Sequence, residues 1–230
     1  LNVHSLYVAT DGVLAAPAVG SFNLHPGPLP AYPGLNAPSW AIFEGAPRFG
    51  CTLHWMTDLV DGGAIAYDAS FPVTAHDTGL SLTTRCVREG IGLLRVLLEA
   101  AARGSQGIPR RAQVGTRRER GPGPPHGGRV DWRLSAERIA AFVRACDFGP
   151  FPSPWGRPVA VVGDTEVELV RAVPDGRAES DAGPGTVVAV DGDALLVATG
   201  AGVLRLTRVL SNGVPIRASN WRLPTPEVVR

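Results

Sequence analysis

The sequence predicts an α/β domain followed by a smaller domain made mostly of β-strands. Short apolar runs alternate with helical patterns in the first half of the chain, and short strands separated by turns fill the last third. Between them, residues 104–128 lose periodicity and are rich in Arg, Pro and Gly. We therefore expect a first domain at residues 1–103, a linker at 104–128, and a helix with a small barrel at 129–230.

In the first domain, a short helix is expected over Pro38–Glu44, closed by a glycine. From about Thr78 to Arg103, apolar residues recur with helical spacing, so Asp77 or Thr78 should cap a long helix that Gly104 ends. Short apolar or alternating runs predict strands at Leu1–His4, Tyr7–Ala9, Phe22–Leu24, Cys51–Met56, Ala64–Tyr67 and Phe71–Val73.

In the second domain, Ser135 should cap a helix whose apolar residues follow the i, i+3, i+4, i+7 pattern. Turn signals separate the short strands that follow, and such a series is typical of a small barrel, here of the OB-like type. The predicted strands are Val159–Val162, Glu166–Arg171, Gly185–Val190, Ala194–Ala198 and Val203–Val209.

The composition excludes several functional classes. Hydrophobic residues make up 44% of the 230-residue chain and charged residues 19%, which favours a packed core over disorder. The net charge of +1 provides no global field to hold nucleic acid or an anionic membrane. All 22 cationic residues are Arg, so no Lys is available for Schiff-base chemistry. The 3 cysteines are far apart in the sequence, which argues against a disulfide framework and favours a reducing compartment. No membrane span or signal peptide is visible, so we expect a cytoplasmic protein without a membrane partner.

The residues that point to chemistry lie between Phe22 and Ile65. Asn23 and His25 are two apart on a predicted strand, so both project from one face at its carboxyl end, where open α/β sheets place ligand crevices. Asp61 precedes a Gly-Gly turn and could return to His25. An amide, an imidazole and a carboxylate suit acyl transfer to an amine, which needs a base, a group that orients it, and an oxyanion donor. Taken alone, the groups also fit a structural histidine and a turn-forming aspartate, and both interpretations stay open at this point.

The wider pattern is more specific. Asn-x-His-Pro-x-x-Leu-Pro starts at Asn23, Tyr-x-Gly starts at Tyr32, and x-x-Asp-x-Gly surrounds Asp61. Together they resemble the formyltetrahydrofolate-dependent formyltransferases, of which methionyl-tRNA formyltransferase is the archetype. Further segments that match the layout of this family lie at residues 37–42, 52–56, 77–78, 131–132, 184–187 and 197–200.

The resemblance implies a Rossmann-like catalytic domain followed by an OB-like barrel, with 10-formyltetrahydrofolate as the co-substrate. It implies that His25 is the base toward the attacking amine, that Asp61 orients and polarises His25, and that the Asn23 amide holds the developing oxyanion. The folate pterin is expected to lie against Leu6, Tyr7, Val8, Ala9, Thr57, Asp58, Leu59 and Val60.

Some features depart from the family pattern. Family members carry the first Rossmann strands before the position of Leu1, so we expect the sheet to lack those strands. A fragment, a longer protein whose first residues are not given and a degenerate protein all stay open as explanations. Pro33 stands where the tRNA enzymes usually have Arg, and residues 27–38 look closer to formyltransferase domains of peptide synthetases and other specialised pathways. From residue 129 onward, 12 Arg balance 12 acidic residues, whereas a tRNA-binding barrel should be basic. We therefore expect a small or carrier-bound amine as the acceptor, with tRNA disfavoured.

Several alternatives stay open. They are initiator-tRNA formylation, hydrolysis of the formyl donor, and a non-catalytic folate-binding or interaction domain. His54 shares a strand face with Met56, where it lines the cleft or, as we favour, is a packed surface histidine. The arginines of residues 103–120 are interpreted as a solvated, flexible linker. The histidines lack metal-ligand spacing, so no metal is expected, and the oligomeric state is left open.

Overall fold

The computed structural model describes residues 1–3, 8–162, 165–176 and 181–217. The chain divides into two compact units, Leu1–Pro122 and Gly123–Arg230. Each unit has a sheet of its own, so the protein is a mixed α/β structure.

The first unit is built on a four-stranded sheet in the order β1-β2-β3-β4. Strand β1 (Asn2–Val3) runs parallel to β2 (Phe22–His25), while β3 (Arg48–Trp55) is antiparallel to β2 and to β4 (Ile65–Pro72). Every residue of β3 after Arg48 is buried, because the strand has neighbours on both edges and is covered on its faces. The carboxyl end of β2 is therefore held against the best-packed strand of the unit.

Three α-helices accompany this sheet, α1 (Asp11–Ala15), α2 (Ala37–Glu44) and α3 (Gly79–Ala101), with a short 3-10 turn at residues 105–107. The start of α3 is fixed by a capping box, in which the Thr78 hydroxyl accepts from the Ser81 N–H at 3.2 Å and the Ser81 hydroxyl accepts from the Thr78 N–H at 2.9 Å. No helix in the described part of the chain has both the length and the apolar character that a membrane span needs.

The apolar stripe of α3 packs on the sheet directly beside the candidate site. Leu82 and Cys86 are fully buried, and burial of a side chain such as Leu82 contributes about 1.5–3 kcal/mol. A Cβ atom at Gly90 would lie 2.5 Å from Leu24 of β2, so glycine at this position allows α3 to approach the strand closely. The helix therefore supports the strand segment that carries Asn23 and His25.

Two strand predictions for this unit need correction. Ala64–Tyr67 and Phe71–Val73 were expected as separate strands, but they belong to the single strand β4. Asp68 and Ser70 fall on the exposed face of this edge strand, so their polarity marks an outward-facing side rather than a break. In the predicted strand Tyr7–Ala9, the first residue lies outside the described residues, and the other two are not in a strand.

In its described residues, the second unit contains a 3-10 turn at residues 125–128, one α-helix and a six-stranded antiparallel sheet. The Ser135 hydroxyl accepts from the Arg138 N–H at 3.3 Å and so caps α4 (Ala136–Ala145) as predicted. The helix buries Ile139 and Val143 against the sheet. The strands are β5 (Val159–Val162), β6 (Thr165–Pro174), β7 (Val187–Asp191), β8 (Ala194–Ala198), β9 (Val203–Ser211) and β10 (Val214–Ile216).

The sheet of the second unit is open in the part of the chain that the structure describes. Its order is β5-β6-β9-β8-β7, with β10 paired to β9, and the two end strands of this path do not pair with each other within the described ranges. The strand content agrees with the sequence prediction, whereas a closed OB-like barrel is not observed.

Residues 109–122, which we call the connecting segment, pack on the first unit. The Arg110 guanidinium lies 3.5 Å from the centre of the Trp55 ring, and Ile65 and Arg111 exchange two backbone hydrogen bonds of 2.8 and 3.0 Å. The interpretation of this stretch as solvated and flexible is therefore wrong for these residues. Polar and arginine-rich sequence does not reveal such packing, because the partners are largely aromatic faces and backbone carbonyls.

Candidate active site

The three residues predicted to be catalytic meet at the carboxyl end of β2. Asn23 and His25 occupy alternate positions of the strand and share one face. Asp61 lies in the turn between β3 and β4 with φ of 52°, in the left-handed region that Asp tolerates better than most residues. His54 of β3 lies directly opposite Asn23 in the strand register and joins them.

Four groups surround the Asp61 carboxylate. Its Oδ2 accepts from the Gly34 N–H at 2.8 Å and lies 3.4 Å from His25 Nδ1. Its Oδ1 accepts from Asn23 Nδ2 at 3.3 Å and lies 3.3 Å from His54 Nε2. The carboxylate therefore joins both strands and the loop that follows β2.

This environment keeps Asp61 ionised. Burial alone would raise the pKa of the carboxyl, since its side chain is only 6% exposed. The hydrogen bond with His54, the positive charge that His25 can carry and the Gly34 N–H outweigh burial and lower the pKa to about 2. A negative charge is thus present beside His25 throughout the neutral pH range.

The His25 ring is buried and held at both nitrogens. Its Nε2 lies 2.5 Å from the carbonyl oxygen of Tyr32, and since a carbonyl only accepts, this nitrogen carries a hydrogen. Its Nδ1 faces Asp61. A Cβ atom at Gly27 would lie 2.7 Å from His25 Nε2 and 2.8 Å from the Tyr32 carbonyl, so a side chain at this position would collide with the ring and its partner.

The Asn23 amide nitrogen and the Asn23 amide oxygen have different surroundings. The nitrogen donates to Asp61 at 3.3 Å and lies 3.1 Å from His54 Nε2, while His54 Nδ1 is 2.8 Å from the Trp55 carbonyl. His54 Nε2 lies between two groups of the site, 3.1 Å from Asn23 Nδ2 and 3.3 Å from Asp61 Oδ1. The Asn23 Oδ1 atom is buried and has no partner. That oxygen can accept a hydrogen bond from a bound N–H group.

A cavity of about 350 Å³ opens onto these residues. Asn23, His25, His54 and Asp61 line it, and so do the polar residues Asn2, Asn36 and Thr57. The remaining walls are largely apolar side chains and backbone, which fits a flat heterocycle. Of the residues predicted to contact the folate, those that line the cavity are Val8, Ala9, Thr57, Leu59 and Val60.

The other residues predicted to bind folate are placed differently. Asp58 does not line the cavity, and its carboxylate accepts from the Leu59 N–H at 3.0 Å. Leu6 and Tyr7 lie outside the described residues. Within the described ranges, no group of three or more His, Cys, Asp or Glu side chains is arranged to hold a metal ion.

Sequence reasoning placed His54 incorrectly and missed Gln113. His54 is 2% exposed, so the surface interpretation is wrong, and it belongs to the polar floor of the cavity. Antiparallel pairing of the Asn23 strand with the next strand would have revealed it, because the two residues are cross-strand neighbours. Gln113 donates to the backbone of the Asp61 turn, and no motif marks such a contact.

Two protein-family models match this chain. The family model described as formyl transferase matches residues 5–97, and the model described as formyl transferase, C-terminal domain, matches residues 124–222. The chain belongs to the formyl transferase family. The first match includes β2, β3 and the Asp61 turn, and the second includes the antiparallel sheet of the second unit.

Relatives of this chain include proteins with different acceptors in their names. A GDP-perosamine N-formyltransferase of Brucella melitensis is 39% identical over 134 residues, which are 58% of this chain and 50% of that protein. A methionyl-tRNA formyltransferase of Burkholderia vietnamiensis is 33% identical over 210 residues, which are 87% of this chain and 59% of that protein. The chain thus spans between half and three fifths of the length of these relatives.

A solved structure shows the same fold. HypX from Aquifex aeolicus, crystallised in complex with tetrahydrofolic acid, superposes with a TM-score of 0.57 at 24% identity, over 86% of this chain and 34% of that chain. At this identity the similarity shows the fold alone.

Proposed function

We propose that this protein transfers the formyl group of 10-formyltetrahydrofolate to a primary amine. The observation that carries the proposal is the convergence of Asn23, His25 and Asp61 on the floor of one cavity. The family membership and the apolar walls of the cavity support a folate co-substrate, with its pterin against Val8, Ala9, Thr57, Leu59 and Val60. The co-substrate supplies an activated formyl carbon for attack by the amine.

Different side chains of the site can then take the different roles that an acyl transfer requires. The ionised Asp61 orients His25 and stabilises positive charge on its ring, as a base that takes the amine proton requires. For this role a lone pair on His25 Nε2 must face the amine, so the Tyr32 peptide group must turn its carbonyl away from that nitrogen during substrate binding, while the Tyr32 side chain keeps its contacts with Glu44 and Arg120. Loop residues 26–34, which carry this carbonyl, include glycines at positions 27 and 34.

Asn23 can contact the reacting groups through both ends of its amide. The buried oxygen without a partner can accept a hydrogen from the attacking amine and so fix its approach. An N–H group of the amide nitrogen can donate to the oxyanion that develops on the formyl oxygen.

The acceptor is proposed to be a small or carrier-bound amine of specialised metabolism. The balance of 12 Arg and 12 acidic residues after residue 128 supports a small acceptor over tRNA, because a tRNA-binding domain should be basic. The similarity to a GDP-perosamine N-formyltransferase also supports a small acceptor and adds amino sugars to the candidates. We further propose that the second unit is the OB-like domain of the family and that the first is its Rossmann-like domain.

Formyl transfer is tested by following tetrahydrofolate release from 10-formyltetrahydrofolate in the presence of nucleotide-linked amino sugars, aminoacyl carrier proteins or charged initiator tRNA. His25→Gln should reduce kcat by about 100-fold or more, because general base catalysis contributes roughly 10²–10⁴. His76→Gln is the matched control, since His76 is exposed and outside the cavity.

Each outcome of this assay has a distinct meaning. Turnover only with charged tRNA would replace the proposed acceptor, and formate release without any amine would indicate hydrolysis of the donor. Folate binding without turnover under every condition would refute the catalytic proposal and favour a binding domain.

A further inference from the structure

The connecting segment lies outside both family-model matches, yet its side chains reach the two loops that build the candidate site. The matches end at residue 97 and resume at residue 124. Between them, Gln113 and Arg117 contact the Asp61 turn, and Arg120 contacts the loop that carries Tyr32. All of these residues belong to the same compact unit as the site.

On the Asp61 side, the contacts are made to backbone carbonyls. Gln113 Nε2 donates to the carbonyl oxygens of Asp61 and Gly63, both at 2.8 Å. Arg117 donates to the Val60 carbonyl at 3.0 Å. The turn needs such support because Asp61 has a left-handed backbone with φ of 52°. The two side chains therefore hold the peptide groups that aim the carboxylate.

On the His25 side, one arginine anchors the loop. Arg120 forms a two-point ion pair with Glu44, with Nε to Oε1 at 2.9 Å and Nη2 to Oε2 at 2.8 Å, and its side chain is only 7% exposed. Its guanidinium also lies 3.9 Å from the centre of the Tyr32 ring and donates to the Ala31 carbonyl at 2.8 Å. Tyr32 in turn presents its carbonyl to His25.

The charges of this anchor are consistent with a permanent contact. Burial opposes ionisation of Glu44, but the hydrogen bonds from Arg120 and Tyr32 lower the pKa of its carboxyl below the ordinary value. Burial and the neighbouring Glu44 raise the pKa of Tyr32 to about 12, so its hydroxyl stays a donor. Lysine could not replace Arg120, because it offers neither the planar fork nor the flat face that stacks on Tyr32.

We propose that Gln113 and Arg120 are positioning residues of the formyl-transfer site, and that the connecting segment fixes the placement of Asp61 relative to His25. This inference rests on the proposed function for its kinetic consequences. Gln113 holds the turn that carries the carboxylate, and Arg120 holds the loop whose carbonyl faces the imidazole. Both act through backbone groups rather than by touching substrate.

The test compares the variants Gln113→Met and Arg120→Lys with the unsubstituted protein. Methionine keeps the bulk of Gln113 and removes its donors, and lysine keeps the charge of Arg120 and removes the fork. Arg118→Lys is the matched control, because Arg118 is 69% exposed and lies 3.8 Å from Glu44. We expect kcat to fall by about 10- to 100-fold in the two test variants with little change in KM, since small misplacements of reacting groups have effects of this size.

A second readout separates positioning from overall stability and from activity itself. The imidazole resonances of His25, assigned by their loss in His25→Gln, are titrated by NMR in each variant. Poorer placement of Asp61 should lower the titration midpoint of His25, and Arg118→Lys should leave it unchanged. Unaltered kcat and an unaltered midpoint in Gln113→Met and Arg120→Lys would overturn the inference. If the unmodified protein lacks formyl transfer, the proposed function fails, whereas the titration still reports on positioning.

Discussion

Replacement of Asp61 by Asn measures how much the fold gains from one buried charge. The pKa of Asp61 is lowered from an ordinary 3.8 to about 2. One pKa unit corresponds to about 1.4 kcal/mol, so the ionised carboxylate contributes about 2 kcal/mol to the free energy of unfolding. Because the folded pKa is the lower one, this contribution is complete above about pH 4 and is lost as the pH falls toward about 2.

The assay is urea-induced unfolding of the protein and of Asp61→Asn at pH 7, 5 and 3. We expect the variant to be less stable by about 2 kcal/mol at pH 7 and 5, with a smaller difference at pH 3. Asp131→Asn is the control. A hydrogen bond from Arg133 also lowers the pKa of Asp131 to about 2, but this pair lies at the surface, where Arg133 is 84% exposed. Its effect should be smaller and should shrink with added salt. No difference for Asp61→Asn at pH 7, or one independent of pH, would refute the reasoning.

The remaining predictions concern the site loop, the core and the thiols. Gly27→Ala should abolish most formyl transfer, because its Cβ would lie 2.7 Å from His25 Nε2 and would push the proposed catalytic ring out of position. Gly92→Ala, with open space around it, should leave kcat unchanged. Steady-state rates and melting curves test both variants. Leu204→Ala should lower the free energy of unfolding by about 2–5 kcal/mol in urea titrations, because the side chain is fully buried, and a loss below about 1 kcal/mol would contradict the packing. Burial raises the pKa of the Cys51 thiol to about 11, and the other two cysteines are buried as well. DTNB should therefore react with all three thiols only after unfolding. Rapid reaction of the native protein would be inconsistent with this burial.

The strand that carries Asn23 and His25 could be predicted from the sequence because its signals are local. The spacing of Asn23 and His25 assigns both to one strand face, and the structure places them there. The return of Asp61 to His25 followed from a Gly-Gly turn between strands, and the two side chains lie 3.4 Å apart. The catalytic and folate-binding roles stay predictions until the kinetic experiments are done.

The parts that escaped prediction depend on contacts between distant segments. Both faces of β3 are buried, so alternation could not distinguish the cavity face on which His54 lies from the core face. Gln113 and Arg120 act on backbone carbonyls and on one carboxylate, and neither partner leaves a periodic pattern in the sequence. An arginine-rich segment without periodicity has the same composition whether it is solvated or docked.

The left-handed backbone at Asp61 restricts which residue types can occupy that position before any chemistry takes place. Asp, Asn and Gly tolerate this conformation, whereas Glu carries the same charge on a residue that disfavours it. In a library randomised at position 61, selection for folding alone should enrich these three residue types, and selection for catalysis should then retain only Asp. The left-handed turn thus restricts position 61 to a few residue types during evolution, and Asp is the one among them that supplies a carboxylate.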